Sequence, residues 1–595
     1  MGSRTPVSSL GRIHNSRYTI PASSLIIPYP LKICYNYSME EIREQLKKVI
    51  QDLYGLDFAP ELTPSPDNID ADYSTNAPLK LAKELHKNPM EIAEEINSKL
   101  NASITPPGFI NFVLPDSYLA EQINKLTDNF TDSVKSDEFK DKTVICEFSD
   151  PNPFKVLHVG HLYTSVVGDS ISRLFEYAGA NVIRANFGGD VGLHVAKTMY
   201  ILQQKPIDTL TIEDIAKCYV EGTAAYDEDE AAKQEITKLN KEIYKINAEK
   251  LHNTPLAELY WKGRELSYDY FRNFYDQIGV KFDKFYPEST VAGLGLQTVK
   301  EQLDKGVYQI SDGAVIFDGE KYGLHTRVFI NQEGVPTYEA KDVGLIFTKW
   351  DDYHFDKSVV ITGSEQKEYM AVVLKSVEQY APELVERTTH LTHGLVKLPG
   401  NIKMSSRKGN FLKAVDVLDM VKDELKSEYD SSDETVALAA TKYAFLKYKM
   451  GGNIIFDPKE SVKMTGNSGP YLLYSAVRAK KILSKESEKF LGGSKTRASA
   501  PERSRRESFS DSYERALMKR TIEYKEVLTE AVHEMAPHKL ANYLYELAQE
   551  FSRFYENCPV IGAENESERI KLVKIYLNTM THGLNLLGIN IPEEM

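Results

Sequence analysis

Cysteine is scarce. The four in 595 residues, Cys34, Cys146, Cys218 and Cys558, form no CxxC pair. That scatter excludes a Cys-rich zinc site and a disulfide scaffold, and it suits a reducing compartment. Long apolar runs are missing too. No stretch of about 18 residues is continuously apolar, so no membrane-spanning helix is expected. Net positive charge is also lacking. The formal charge is −14, which on average speaks against a nucleic-acid partner. The average hides a local reversal: between residues 461 and 507, eleven Lys and Arg stand against four Asp and Glu. Such a stretch fits a large polyanion gripped in one place, or a solvated basic linker.

With 42% hydrophobic and 27% charged residues, the chain can bury cores and is too long for a single one. Residues 1–38 differ from the rest. They are rich in Ser, Pro and Arg and hold no Asp or Glu. Ser38-Met39-Glu40-Glu41 then reads as a capping box opening a helix. The expectation is a leader over 1–38, either an organelle transit peptide or a segment foreign to the natural chain, with the folded protein starting at Met39. The expected location is then the cytoplasm, or the mitochondrion if the leader is native.

Apolar spacing predicts helices from Glu40 and over Ala77–Leu100, then a strand at Gly108–Leu114. This is a small α+β domain over 39–127, followed by an acidic linker, Thr127–Asp141. The strand Thr143–Phe148, a Pro-broken loop, a long helix stopping at Gly179 and the strand Val182–Phe187 make a βαβ unit. A parallel sheet with its ligand crevice at the strand C-terminal ends follows. Residues 205–270 read as an acidic helical insertion. Strands return at Gly313–Phe317, Arg327–Asn331 and Ser358–Thr362. Beyond about residue 455 the long patterns are helical, interrupted by a loop at Gly492–Ser510. The fold class is multidomain α/β: a Rossmann-like parallel-sheet domain over 140–455, a small α+β N-terminal domain, and an all-α bundle over 456–595.

Two strings carry chemistry. His158-Val-Gly-His161 sits where the first strand of the βαβ unit turns into its helix. A helix N-terminus attracts phosphate, two imidazoles there can donate to phosphoryl oxygens, and Gly160 leaves room for a nucleotide. Lys403-Met-Ser-Ser-Arg-Lys-Gly409, after Pro399-Gly400, has the composition of a polyphosphate clamp, lysine acting as a point charge and arginine as a fork.

Together these strings resemble the HIGH and KMSKS signatures of class I aminoacyl-tRNA synthetases. Longer strings narrow the likeness: Glu147-Phe-Ser-Asp-Pro-Asn-Pro-Phe-Lys-Val-Leu-His-Val-Gly-His161, Asn331-Gln-Glu-Gly-Val-Pro-Thr-Tyr-Glu-Ala-Lys-Asp-Val-Gly344, Gly466-Asn-Ser-Gly-Pro-Tyr-Leu-Leu-Tyr-Ser-Ala-Val-Arg478 and Leu587-Gly-Ile-Asn-Ile-Pro-Glu-Glu-Met595 resemble arginyl-tRNA synthetases, in family order. The resemblance implies activation of arginine by ATP, with Mg²⁺ accompanying the nucleotide, and transfer to tRNA(Arg). It implies no membrane partner and a monomer. It assigns Lys155, His158, His161, Lys403 and Lys408 to catalysis. Gly160, Met404 and Ser405 join His158, His161 and Lys403 around ATP. Glu147, Asn152, Glu288, Tyr338, Asp342 and Gln366 would hold arginine, with Ser149 nearby.

A guanidinium is a permanent cation with a planar donor fork, so its reader must be a carboxylate. Tyr474, Arg478, Tyr555 and Met595 would meet the anticodon arm, and Asn111 and Phe112 the tRNA elbow. Tyr474 and Arg478 lie one turn apart, so they share a helix face. The sequence departs from the family at Leu193-His194, where His194 either donates to a ligand or packs, and at Pro153-Phe154. Rival readings fit less well. Other class I synthetases would need a zinc site or a large editing insertion, a small-cofactor nucleotidyltransferase would be shorter, and a non-catalytic paralogue would not keep both strings.

Overall fold

The structure, a computed structural model, describes residues 39–66, 69–100, 102–400, 412–491 and 512–595. The expected leader over 1–38 and the expected loop Gly492–Ser510 lie outside these residues. Packing divides the chain into two units, 1–118 and 119–595.

In the first unit, α1 (Met39–Tyr54) buries Ile42, Leu46 and Ile50, one face of a helical stripe. Then come β1 (Thr63–Pro64), β2 (Tyr73–Thr75), α2 (Ala77–Leu85), α3 (Pro89–Leu100), β3 (Ser103–Thr105) and β4 (Phe109–Phe112). The strands form an antiparallel sheet of order β1-β2-β4-β3. The single helix expected over Ala77–Leu100 is two helices. His86 takes the left-handed conformation, and Pro89 cannot prolong a helix it follows. Asn88 caps the new start by accepting from the Met90 N–H.

Asn111 and Phe112 do not face a partner. They are 2% and 1% exposed. On the central strand β4, Asn111 Oδ1 accepts from Ser74 Oγ at 2.7 Å and its Nδ2 donates to Thr105 Oγ1 at 3.1 Å. Its side chain is used up in joining strands, and Phe112 is core. The strand is where alternation puts it, but both of its faces are covered.

The second unit follows α4 (Asp116–Asp128) with α5 (Phe130–Val134), so the expected linker is partly helical, capped by Asn129. The chain continues through β5 (Thr143–Glu147), α6 (Val159–Tyr177), β6 (Asn181–Gly188), α7 (Leu193–Leu202), α8 (Ile212–Glu228), α9 (Glu230–Ala248), α10 (Pro255–Ile278), β7 (Lys284–Pro287) and α11 (Glu288–Asp304). Next are β8 (Gln309–Ser311), β9 (Ala314–Phe317), β10 (Arg327–Ile330), α12 (Tyr338–Tyr353), β11 (Lys357–Gly363), α13 (Lys367–Glu378), α14 (Pro382–Glu386), β12 (Thr388–His393) and β13 (Val396–Lys397). The rest is α15 (Ala414–Tyr429), α16 (Glu434–Leu446), β14 (Ile454–Ile455), α17 (Pro458–Ser461), α18 (Gly469–Leu491), α19 (Ser512–Ile522), α20 (Tyr524–His533), α21 (Pro537–Asn557) and α22 (Glu566–Leu586).

The central sheet is wholly parallel, in the order β12-β11-β5-β6-β7. Chain order reverses between β5 and β11, and that is where an open α/β sheet leaves its crevice. α6 leaves β5 at this point and is buried on nearly every face. The C-terminal helices close over it: Ser170 Oγ donates to the Leu586 carbonyl at 3.1 Å, and Arg173 Nη1 to that of Asn585 at 3.3 Å. The insertion, α8–α10, builds its own core around Ile215, Ile236, Ile243 and Tyr260, and Phe154 of the β5–α6 loop enters that core. Phe154 therefore packs, stacked on Tyr260 with centroids 5.9 Å apart. Among the described residues no helix is long and apolar enough to cross a membrane.

Candidate active site

β5 delivers Glu147 to the crevice, where it is buried against Lys349 Nζ of α12 at 2.7 Å; that ammonium also reaches Ser358 Oγ at 3.1 Å. The loop that follows is strained. Ser149, Asp150 and Phe154 all have positive φ (73°, 49° and 66°), a conformation non-glycine residues hold only when their surroundings compel it. Here the compulsion is visible. Asp150 Oδ1 accepts from the Phe187 N–H and Asn152 Oδ1 from the Gly189 N–H, both at 2.8 Å. Ser149 Oγ lies 2.9 Å from the Tyr275 hydroxyl. His194 Nε2 donates to the Gly189 carbonyl at 2.7 Å, so the departing histidine clamps the peptide that holds Asn152.

The loop ends at the head of α6. His158 is the N-cap, its Nδ1 accepting from the Gly160 N–H at 3.1 Å. His161 Nδ1 accepts from the His158 N–H at 3.0 Å. The two rings stack with centroids 3.8 Å apart. Each Nδ1 is occupied as an acceptor, so in the neutral ring the proton sits on Nε2. Burial keeps the rings neutral. It pulls His158 down to about 4, assisted by Lys155 and His393, and pulls His161 well below the usual imidazole value. The pair is thus two fixed Nε2–H donors at a helix N-terminus. Gly160 has a nearer reason than a nucleotide: a Cβ there would stand 2.9 Å from the His158 ring. Asn152, Lys155, His158 and His161 line one cavity of about 100 Å³, closed on the far side by Ala216, Tyr219 and Val220 of α8.

The acids come from α11 and α12. These helices cross through two glycines. A Cβ on Gly295 would lie 1.9 Å from the Ala340 carbonyl, and one on Gly344 would lie 2.2 Å from that of Val291. The close crossing sets Glu288, at the head of α11, against Lys341 of α12. They pair at 2.7 Å, both buried. Asp190 fixes that head, accepting from the Ser289 N–H at 3.0 Å while Arg264 Nε donates to it at 2.9 Å. A Cβ on Gly189 would meet both Asn152 Oδ1 (2.7 Å) and Glu288 Oε1 (3.0 Å), so these two predicted residues converge.

Asp342 is buried, and the Tyr369 hydroxyl of α13 donates to it. Burial pushes its carboxyl up to about 8; Tyr369 opposes the rise, and Glu147 and Glu288 reinforce it. Burial likewise raises Glu288, against the pull of Lys341. Tyr338 is exposed at the first turn of α12, with Lys341 Nζ 5.0 Å above its ring. Gln366 is exposed at the head of α13, one turn before Tyr369.

Lys403, Met404, Ser405 and Lys408 lie outside the described residues. Their downstream flank does not: the Leu412 carbonyl accepts from the Val159 N–H at 2.9 Å, and the Ala414 N–H donates to the Leu157 carbonyl at 3.0 Å. The chain thus leaves the basic segment directly on the His158 turn.

In the helical bundle Arg478 lies between two rings, its guanidinium carbon 4.7 Å from the centroids of both Tyr474 and Tyr555. Lys481 and Lys485 line the same open cavity of about 430 Å³. Met595 is half-buried, and Lys480 Nζ ties the tail to α18 through the Pro592 carbonyl at 3.1 Å.

Several participants escaped sequence reading: Asp190, Lys341, Lys349, Tyr369 and Tyr219. Lys341 and Lys349 had a signal: Lys341 stands inside a string already singled out, one residue before Asp342, and Lys349 five residues past the end of that string. Tyr219 had none.

A parallel sheet reversing at β5, an imidazole pair capping the next helix and a chain that meets that cap at Leu412–Ala414, just past the basic segment, define a class I aminoacyl-tRNA synthetase core. The family model for "tRNA synthetases class I (R), catalytic domain" matches residues 124–457, that for the "DALR anticodon binding domain" 472–595, and that for the "Arginyl tRNA synthetase N terminal domain" 40–114. The arginine–tRNA ligase of Crocosphaera subtropica is 30% identical over 612 residues, covering 94% of this chain and 100% of the relative. That of Treponema denticola is 28% identical over 605 residues, covering 94% and 100%. The fold matches the Thermus thermophilus arginyl-tRNA synthetase with a TM-score of 0.74 at 23% identity, over 93% of this chain and 100% of that one. The chain belongs to the arginyl-tRNA synthetase family.

Proposed function

We propose that the crevice between β5 and β11 is where this arginine–tRNA ligase joins ATP to arginine, and that the α18 platform receives the anticodon arm of tRNA(Arg). In this reading the triphosphate, with its Mg²⁺, lies at the head of α6. The Nε2–H groups of His158 and His161 donate to phosphate oxygens, and Lys155 adds a cation. Lys403 and Lys408 close over the same phosphates; in support, the chain just past their segment, Leu412–Ala414, is hydrogen-bonded to this turn. Asp342 takes the arginine guanidinium, with Glu288 as the second acid and Tyr338 beside them. Asn152 and Gln366 hold the α-amino and carboxylate end.

The arginine carboxylate attacks the α-phosphorus. Its O–P bond forms as the bond to the bridging oxygen breaks, and pyrophosphate leaves. A ribose hydroxyl of the terminal tRNA adenosine then attacks the carbonyl carbon of the adenylate and AMP leaves. In-line transfer of this kind asks the protein mainly for position and charge. Neutral, tautomer-fixed imidazoles suit that need, because they donate without a counter-charge to shed.

The observation that carries the reading is the paired Nε2–H donors sharing one cleft with Lys155 and Asn152, and Asn152 in turn meeting Glu288 across Gly189. The test is ATP–pyrophosphate exchange with each of the twenty amino acids, with and without tRNA. Arginine alone should support exchange, and poorly unless tRNA is present. Exchange with another amino acid overturns the reading.

A further inference from the structure

Lys155 and Lys341 are each met by a tyrosine of the helical insertion. Lys155 Nζ sits 4.7 Å from the centroid of the Tyr219 ring, on α8. No described carboxylate pairs with Lys155; the aromatic face is its partner in that wall. Lys341 Nζ donates to the Tyr244 hydroxyl, on α9, at 3.0 Å, and lies 5.5 Å from that ring's centroid. Tyr219 lines the same cavity as His158 and His161. A carboxylate beside Lys155 would cancel the charge that phosphate needs. An aromatic face attracts an ammonium without neutralising it and leaves its hydrogens free. Near Lys341 the demand differs: Glu288 already pairs with it, and the Tyr244 hydroxyl fixes where that ammonium rests and how much of Glu288 it covers.

We propose that Tyr219 and Tyr244 are positioning residues of the synthetase reaction, through which the insertion sets Lys155 and Lys341, Tyr219 acting on the ATP side and Tyr244 on the arginine side. This rests on the reading of Lys155 as a phosphate ligand. The insertion is tied to the site through Phe154 and these two rings.

The experiment is aminoacylation of tRNA(Arg) by the full-length chain, with KM for ATP and for arginine measured separately and Tm recorded for each variant. Tyr219→Leu should lower kcat/KM for ATP about ten-fold, the scale of a partly desolvated cation–π contact, and leave KM for arginine within about two-fold. Tyr219→Phe keeps the ring and should recover most of that loss. Tyr244→Phe should raise KM for arginine about five-fold, one buried hydrogen bond, with ATP unaffected. In the Lys155→Met background Tyr219→Leu should cost nothing more, because the two changes remove one interaction.

Equal loss for ATP and arginine in Tyr219→Leu, or Tyr219→Phe as poor as Tyr219→Leu, would mean packing rather than positioning and overturns the inference. So does a silent Tyr219→Leu beside a crippled Lys155→Met. A silent Lys155→Met instead removes the phosphate role on which the inference stands.

Discussion

Asp342 is buried and its carboxyl is pushed up to about 8, whereas Arg478 lies between two half-exposed tyrosine rings with water at hand. The first region encloses its ionisable groups and so moves their protonation. His158, His161, Asp342 and Glu288 are all displaced toward their neutral forms by burial. The second keeps a permanent cation at the surface and shapes it with aromatic faces. Under the proposed function the difference follows from the ligands. A nucleotide and an amino acid can be surrounded, so charge is discriminated by desolvation. A tRNA arm cannot, so unpaired bases are met by stacking on exposed planes.

That contrast can be broken at either end. The largest effect is expected at the α6 cap. His161→Ala removes a preorganised donor and should lower kcat about 10²- to 10³-fold in steady-state aminoacylation; a fall of less than ten-fold would take the imidazole out of the reaction. Asp342→Asn should raise KM for arginine about 100-fold, because a guanidinium then faces an amide in a buried site, while KM for ATP stays within about three-fold. Equal losses for both substrates would deny that Asp342 belongs to the arginine side.

The pH dependence sharpens the same point. In the free protein Asp342 is protonated below about 8. Arginine favours its carboxylate, so binding expels a proton, and affinity should rise about ten-fold from pH 6.5 to 8 and level off above. Calorimetry in buffers of different ionisation heat measures the proton directly; uptake instead of release at pH 7 would contradict the assignment, and the pH slope should vanish in Asp342→Asn. The smallest effect belongs to the platform. Arg478→Ala should raise KM for tRNA about five- to ten-fold and leave both small substrates untouched. An unchanged tRNA constant would remove Arg478 from the interface.

What sequence reading reached, and where it stopped, follows from the range of each signal. The βαβ unit and the helical bundle were legible because their apolar periods are local. His158 and His161 were legible as a pair because both sit within one turn of the same helix start. Asn111 and Phe112 were placed at the tRNA elbow by resemblance, which carries no information on burial; the fold covers both faces of their strand. The break at His86 was missed because a stripe of Ile and Leu continues in register through it.

By itself, then, the amino-acid sequence determined the family, the order of the domains and the donor chemistry at residues 158–161, all of which are written in short strings. The tertiary structure alone decided the electrostatics. It paired Glu288 with Lys341 and Glu147 with Lys349, pressed Tyr369 against Asp342, and brought Tyr219 from a distant helix to Lys155. The reason is physical. A side chain's charge state depends on the water and the ions around it, and those neighbours come from segments tens to hundreds of residues away.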